Sequence, residues 1–186
     1  MAQSKFDLSG RVILITGAGG GIGRATAREL ARLGATLFVT DLDARRAEDA
    51  AADAKTLGAE VQMMAHDVSC NADWDAVIGQ VGARWRRLDG LVNNAGFMLT
   101  VTFLTTFSDD FRCSMEVNAI SVFEGTRRAA QQMIETAETF GVKPSIVNVS
   151  SIYGQIAGPA HVGYSASKGA VRAMTKGSSW REREYE

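Results

Sequence analysis

Arg11-Val-Ile-Leu-Ile-Thr16 runs straight into Gly17-Ala-Gly-Gly-Gly-Ile-Gly23 and then Arg24-Ala-Thr-Ala-Arg-Glu-Leu30, and this stretch decides the fold. The opening residues are a short apolar run bounded by glycines, the pattern of a buried strand. After the glycines a helical period begins. Arg24, Arg28 and Arg32 recur every four residues on one side, while Ile22, Ala25, Leu30 and Leu33 favour another. Gly34 closes the helix as a C-terminal cap. Strand, glycine turn and helix in this order are the start of a βαβ unit.

The same alternation continues outward. Thr36 to Thr40 reads as a second strand, stopped at Asp41, and Asp43 caps an alanine-rich helix reaching about Leu57, with Gly58 as its stop. Val61 to Ala65 is a third strand, Asn71 to about Arg86 a third helix, and Leu88 to Asn93 a fourth strand. The apolar connection Phe97 to Phe107 has no assignable periodicity. Ser108 then caps one long helix to about Phe140, whose apolar stripe is Phe111, Met115, Val122, Ala129 and Met133, with Asn118 in its middle. A fifth strand, Ile146 to Val149, precedes a helix carrying Tyr164 and Lys168. The class is α/β, a doubly wound parallel sheet of five strands covered on both faces. Residues 1–176 form one domain and residues 177–186 a divergent charged tail.

Composition narrows the function. With 46% apolar and 22% charged residues, the 186-residue chain has an ordinary globular balance. Its 20 basic and 21 acidic residues leave a formal charge of −1, which argues against nucleic acid or an anionic membrane as the main partner. Cys70 and Cys113 lack metal-ligand spacing, so no metal is expected, and they read as reduced thiols. No apolar run in the sequence approaches membrane-spanning length, and the expected location is cytoplasmic.

Two places carry chemistry. A glycine-rich turn between the first strand and helix lets a pyrophosphate approach the backbone. Here the spacing is Thr16-Gly17-x-x-x-Gly21-Ile22-Gly23 rather than G-x-G-x-x-G. Asp41, at the end of the second strand, can accept hydrogen bonds from adenosine ribose hydroxyls and would repel a 2′-phosphate. That favours NAD over NADP, with Arg45 and Arg46 near enough in sequence to soften the repulsion. The second place is Ser150-Ser151 at the end of the fifth strand with Tyr164-x-x-x-Lys168 on the next helix. Four residues apart, the phenol and the ammonium share one helix face. A free tyrosine titrates near pH ~10, and a neighbouring positive charge favours the phenolate form of such a group.

Five motifs in order, Thr16 to Gly23, Asp67-Val68, Asn93-Asn-Ala-Gly96, Asn118, and Ser151 with Tyr164 and Lys168, make the chain resemble the single-domain short-chain dehydrogenase/reductase family, of Rossmann type. The resemblance covers roughly residues 6 to 176. It implies that Gly17, Gly21, Ile22 and Gly23 hold the pyrophosphate, and that Asp67 and Val68 receive the adenine. Asn94, Ala95 and Gly96 would pass under the cofactor. Tyr164 would be the general acid/base, Lys168 would tune it and bind the nicotinamide ribose, and Ser151 would hydrogen-bond the substrate oxygen. Asn118 would anchor a water-linked proton relay, and Ser150 would be structural. The implied reaction interconverts a secondary alcohol and a ketone with NAD or, less favoured, NADP.

Measured against that family, the chain ends early. No proline-glycine turn follows the Tyr164 helix, and Gly177 to Glu186 is charged where apolar helix is expected. A truncated chain with an exposed fifth strand, lower stability and a tendency to self-associate is the expectation; full-length relatives of this type are commonly homo-oligomers. The competing reading is a catalytically silent dinucleotide-binding or dimerising homologue. A sugar epimerase shares the Tyr-x-x-x-Lys pair but not the glycine spacing. Phe97, Met98, Gln155, Ile156 and His161 are the pocket candidates, too apolar and few to name a substrate.

Overall fold

The computed structural model describes residues 6–178. Along the chain run β1 (Val12–Thr16), α1 (Gly21–Arg32), β2 (Thr36–Asp41), α2 (Ala44–Thr56), β3 (Val61–Ala65), α3 (Asn71–Trp85) and β4 (Gly90–Asn93). After them come α4 (Ser108–Met115), α5 (Ser121–Phe140), β5 (Ser145–Asn148) and α6 (Val162–Gly177). Short 3-10 turns occupy Phe103–Thr105 and Ile152–Gly154.

One parallel sheet has the order β3-β2-β1-β4-β5. Val12 lies opposite Thr36, and Ile13 opposite Gly90, so β1 is flanked by β2 and β4. The chain winds from β1 out to β3 and then returns to the other side of β1. At such a reversal the strand ends of β1 and β4 open a crevice where ligands of these folds bind. The inner strands β1, β2 and β4 are largely apolar because both faces of the sheet are covered there: Leu14, Ile15, Leu37, Phe38, Val39 and Leu91 are buried. Alanines at 47, 50, 51 and 54 give α2 a small-residue face and are all buried.

Asp43 caps α2 by accepting the Arg45 N–H at 2.8 Å, as its sequence position predicts. β5 lies at the sheet edge, where Val147 is 55% exposed, matching the expected open edge. A polar knot that the sequence did not announce surrounds Asp89. Its carboxylate receives the Val12 N–H at 2.9 Å, Arg11 at 3.0 Å, and Arg87 through two bonds of 2.6 and 2.7 Å. Burial alone would raise the Asp89 pKa, but these donors outweigh it and hold it below the usual carboxylate value.

The long helix expected from Ser108 differs in two respects. Phe107, not Ser108, is the capping position, and its N–H donates to Asp110 at 3.1 Å. A π turn at Glu116–Ile120 also separates α4 from α5. A π turn takes in an extra residue and shifts the phase of everything before it. The anticipated stripe therefore holds at Asn118, Val122, Ala129 and Met133, whereas upstream Ser114 is buried and Phe111 is exposed. The apolar connection after β4 contains the 3-10 turn and a bridge from Val101 to His161. Residues 179–186 of the anticipated tail lie outside the described residues. By its contacts the chain forms two compact units: one carries the chain up to Ala95 with Glu124–Val147, the other Gly96–Phe123 and the chain from Asn148 on.

Candidate functional site

The first unit holds the glycine turn. Gly17 sits at φ +62°, and a Cβ there would stand 2.8 Å from the Ala95 Cα, so a side chain is excluded by both conformation and space. A Cβ on Gly23 would overlap the carbonyl oxygen of Gly17 and stand 2.5 Å from the Asn94 amide nitrogen. Asn94 clamps the turn from β4: its Nδ2 donates to the carbonyls of Thr16 (3.0 Å) and Gly17 (2.9 Å). Thr16 Oγ1 in turn accepts the N–H groups of Asn94 and Ala95, each at 3.1 Å. No side chain caps the start of α1, where Gly20 is the capping position. The result is bare backbone at a positive helix end, shaped to admit a phosphate group. Gly21 at φ +50° and the exposed Ile22 complete the rim.

Asp41 and Asp67 stand at the ends of β2 and β3. The Asp41 carboxylate accepts the N–H groups of Gly19 (2.9 Å) and Asp43 (3.2 Å). Asp67 Oδ1 accepts the Ser69 hydroxyl at 2.6 Å and the Ser69 N–H at 2.9 Å, which hold its pKa below the usual value. Val68 is buried, and its carbonyl accepts the Trp74 indole N–H at 2.8 Å.

Between them lies a residue that sequence reasoning passed over. His66 is 2% exposed, its Nδ1 is 3.1 Å from Thr40 Oγ1, its ring meets Trp74 edge-on at 4.5 Å, and Nε2 has no partner. Burial lowers its pKa to about 4, against the smaller upward pull of Asp73 and Asp67. The unfolded chain therefore binds a proton below pH ~6.5 that the folded chain refuses until about pH 4. Stability is full above the unfolded value and falls by about 3 kcal/mol as pH drops to 4. Urea titrations of wild type and His66→Gln across pH 4–7 should show this extra loss in the wild type alone; parallel curves would refute it.

The second unit holds the acid/base candidates. On α6, Tyr164 is half-buried and Lys168 is 4% exposed, and the Lys168 nitrogen lies 6.0 Å from the centre of the Tyr164 ring. Lys168 Nζ donates to the Val149 carbonyl at 2.8 Å, and burial pushes its pKa below that of a free lysine. Gly96 leaves room for this: a Cβ there would stand 3.4 Å from Nζ and 2.8 Å from Asn118 Oδ1. Ser151 opens the 3-10 turn and accepts the Tyr153 N–H at 3.2 Å. Ser150 donates to the Lys168 carbonyl at 2.8 Å, which gives it the structural role expected of it. Asn118, in the π turn, is fully buried. Its Oδ1 accepts the Phe97 N–H, and its Nδ2 donates to the Phe97 carbonyl, both at 2.9 Å, and to Ser167 Oγ at 3.3 Å. Both amide donors thus pin Phe97 and α6, and Oδ1 keeps a second acceptor position.

A cavity of about 520 Å³ in this unit is lined by Phe103, Tyr153, Gln155, Pro159, Val162 and Ser165 among others. Of the anticipated pocket residues only Gln155 lines it, and Ser151, Tyr164 and Lys168 do not. Among the described residues no cluster suits a metal, and no helix is long and apolar enough to cross a membrane.

The family model described as short chain dehydrogenase matches residues 11–185. Cyclopentanol dehydrogenase from Comamonas sp. (strain NCIMB 9872) is 36% identical over 166 residues, covering 89% of this chain and 64% of that protein. The 3-beta-hydroxysteroid dehydrogenase of Comamonas testosteroni is 34% identical over 172 residues, covering 92% and 64%. The crystal structure of NAD+-bound xylitol dehydrogenase superposes with a TM-score of 0.87 at 31% identity, covering 92% of this chain and 64% of that one. The chain thus spans 64% of the length of each of these three proteins.

Proposed function

The chain belongs to the short-chain dehydrogenase family, and from that membership we propose that it is an NAD-using oxidoreductase interconverting a secondary alcohol and a ketone. The observation that carries the proposal is Lys168, buried on the Tyr164 face of α6 and held there by the Val149 carbonyl. An ammonium in that position has a structural cost that a surface lysine avoids, and it stands 6.0 Å from the centre of the Tyr164 ring.

The residues present fit a dinucleotide. Gly17 and Gly23 exclude side chains from the turn, and the start of α1 has no capping side chain to displace. In this reading Gly17, Gly21, Ile22 and Gly23 receive the diphosphate and Asp41 the adenosine ribose. Asp67 Oδ2, which accepts no hydrogen bond among the described residues, is free to take the adenine amino group. Asn94, Ala95 and Gly96 keep the chain after β4 close and bare. When bound, the nicotinamide accepts or returns the hydride. Tyr164 takes the hydroxyl proton in oxidation and returns it in reduction. Lys168 places its charge on the Tyr164 face and holds the nicotinamide ribose, and Ser151 hydrogen-bonds the substrate oxygen. Asn118 fixes Phe97 and α6, and anchors the relay that refills the tyrosine.

Two related proteins act, by name, on a cyclic alcohol and a steroid. Cyclic secondary alcohols and their ketones are accordingly the substrates to try. The test is NADH binding by fluorescence, followed by turnover of such a panel read by nicotinamide absorbance. Binding with turnover supports the proposal. Tight NADH binding with no turnover on any member would favour a silent dinucleotide-binding homologue instead.

A further inference from the structure

We propose that Ser167 is a positioning residue for the acid/base pair, fixing the turn of α6 that spaces Tyr164 from Lys168. The inference rests on the oxidoreductase reading above, which gives those two side chains their roles, and concerns only groups of the second unit. Ser167 is 0% exposed, and a hydroxyl so placed is costly unless it is hydrogen-bonded. Its Oγ lies 2.8 Å from the Tyr164 carbonyl oxygen and 3.3 Å from Asn118 Nδ2. A carbonyl only accepts and an amide nitrogen only donates, so each bond has one direction. The Asn118 amide donates to Ser167, and Ser167 donates to the backbone of Tyr164.

That carbonyl sits at the centre of the pair. In a helix the carbonyl of residue i takes the N–H of residue i+4, so within α6 the Tyr164 carbonyl faces the Lys168 N–H. The Ser167 proton is a second donor to it. A serine bonded back to the preceding turn often bends its helix, and here the bend falls between the phenol and the buried ammonium. The far end of the same turn is held in a similar way. Ser150 donates to the Lys168 carbonyl at 2.8 Å, and a Cβ on Gly154 would stand 2.6 Å from that oxygen. Two hydroxyls thus pin the main-chain carbonyls of Tyr164 and Lys168. Ser167 carries the restraint further, through Asn118 to the Phe97 backbone.

The experiment compares Ser167→Ala, Ser167→Cys and Ser167→Thr with the wild type on a ketone that the wild type reduces. Ser167→Ala should lower kcat by about 10-fold, inside the roughly 10²-fold that misplacing reacting groups by about 1 Å costs. KM and the NADH dissociation constant should move less than about 2-fold, since the loss falls on the transition state. Threonine makes the same back-bond in helices, so Ser167→Thr should recover to within about 3-fold of the wild-type kcat. Ser167→Cys keeps the shape with a weaker donor. It should fall between, and it carries the comparison if alanine does not fold or threonine overpacks. Amide hydrogen exchange at Phe97, which needs no turnover, should quicken in Ser167→Ala and return in Ser167→Thr. A folded Ser167→Ala with wild-type kcat, or a loss that lies in KM, would overturn the inference and leave the oxidoreductase reading intact. So would unchanged exchange at Phe97, or a threonine variant as slow as alanine while melting with the wild type. A wild type that binds NADH but turns over no substrate would remove both.

Discussion

Phenylalanine at position 164 is expected to lower kcat by roughly 10²- to 10⁴-fold on any substrate the chain turns over, the range of a lost general acid/base. The NADH dissociation constant should move less than about 2-fold, because the change removes one hydroxyl and no part of the glycine turn. Tyr164 shares its face of α6 with Lys168 and meets Tyr153 edge-on at 6.4 Å, a packing that phenylalanine preserves. The ring therefore stays in place while the exchangeable proton is gone. Rapid-mixing kinetics beside an NADH titration would separate the two effects. A variant keeping a tenth or more of the wild-type rate would mean that another group handles the proton.

Alanine at position 23 is expected to abolish dinucleotide binding in the micromolar range. A single methyl there would overlap the Gly17 carbonyl oxygen and press on the Asn94 side chain, which itself clamps Thr16 and Gly17. Gly17 cannot retreat freely, since its own position faces the Ala95 backbone. The clash can be relieved only by moving the turn or its Asn94 clamp, so the melting temperature should fall as well. Gly79→Ala is the natural control. Nothing lies within 4 Å of a Cβ at that helical position, so it should bind NADH normally and gain up to about 1 kcal/mol of stability. Similar NADH affinity in Gly23→Ala and wild type would mean that the turn is not where the nucleotide sits.

Much of this was readable from residues alone. The runs Val12–Thr16 and Val61–Ala65 are strands almost to the residue: the first is mostly β-branched and ends at Gly17, and the second is bounded by Glu60 and by His66-Asp67. Gly34 and Gly58, at φ +88° and +89°, end their helices as the pattern required. The short-chain dehydrogenase family was legible too, because its motifs fall in order along nearly the whole chain. What stayed hidden depends on contacts far apart in sequence. Asn118 on an apolar stripe signalled a buried partner, but nothing local identified it as the backbone of Phe97, or revealed the π turn that sets it there. His66 is simply the residue after the third strand in sequence, and only its burial against Trp74 makes it a proton-sensitive group. Ser167 is a small residue between Tyr164 and Lys168 until folding sets it against Asn118.

The anchor of Lys168 has an electrical consequence. Its ammonium rests on the Val149 carbonyl, and no carboxylate pairs with it among the described residues. A lysine bound to an aspartate would form a near-neutral couple whose field dies away within a few ångströms. A carbonyl dipole holds the cation in place without cancelling its charge, and the centre of the Tyr164 ring lies 6.0 Å away. The burial that lowers the lysine pKa and the lack of a paired carboxylate among the described residues belong to the same arrangement: a charge held by a dipole alone is harder to keep than one held by a counter-ion.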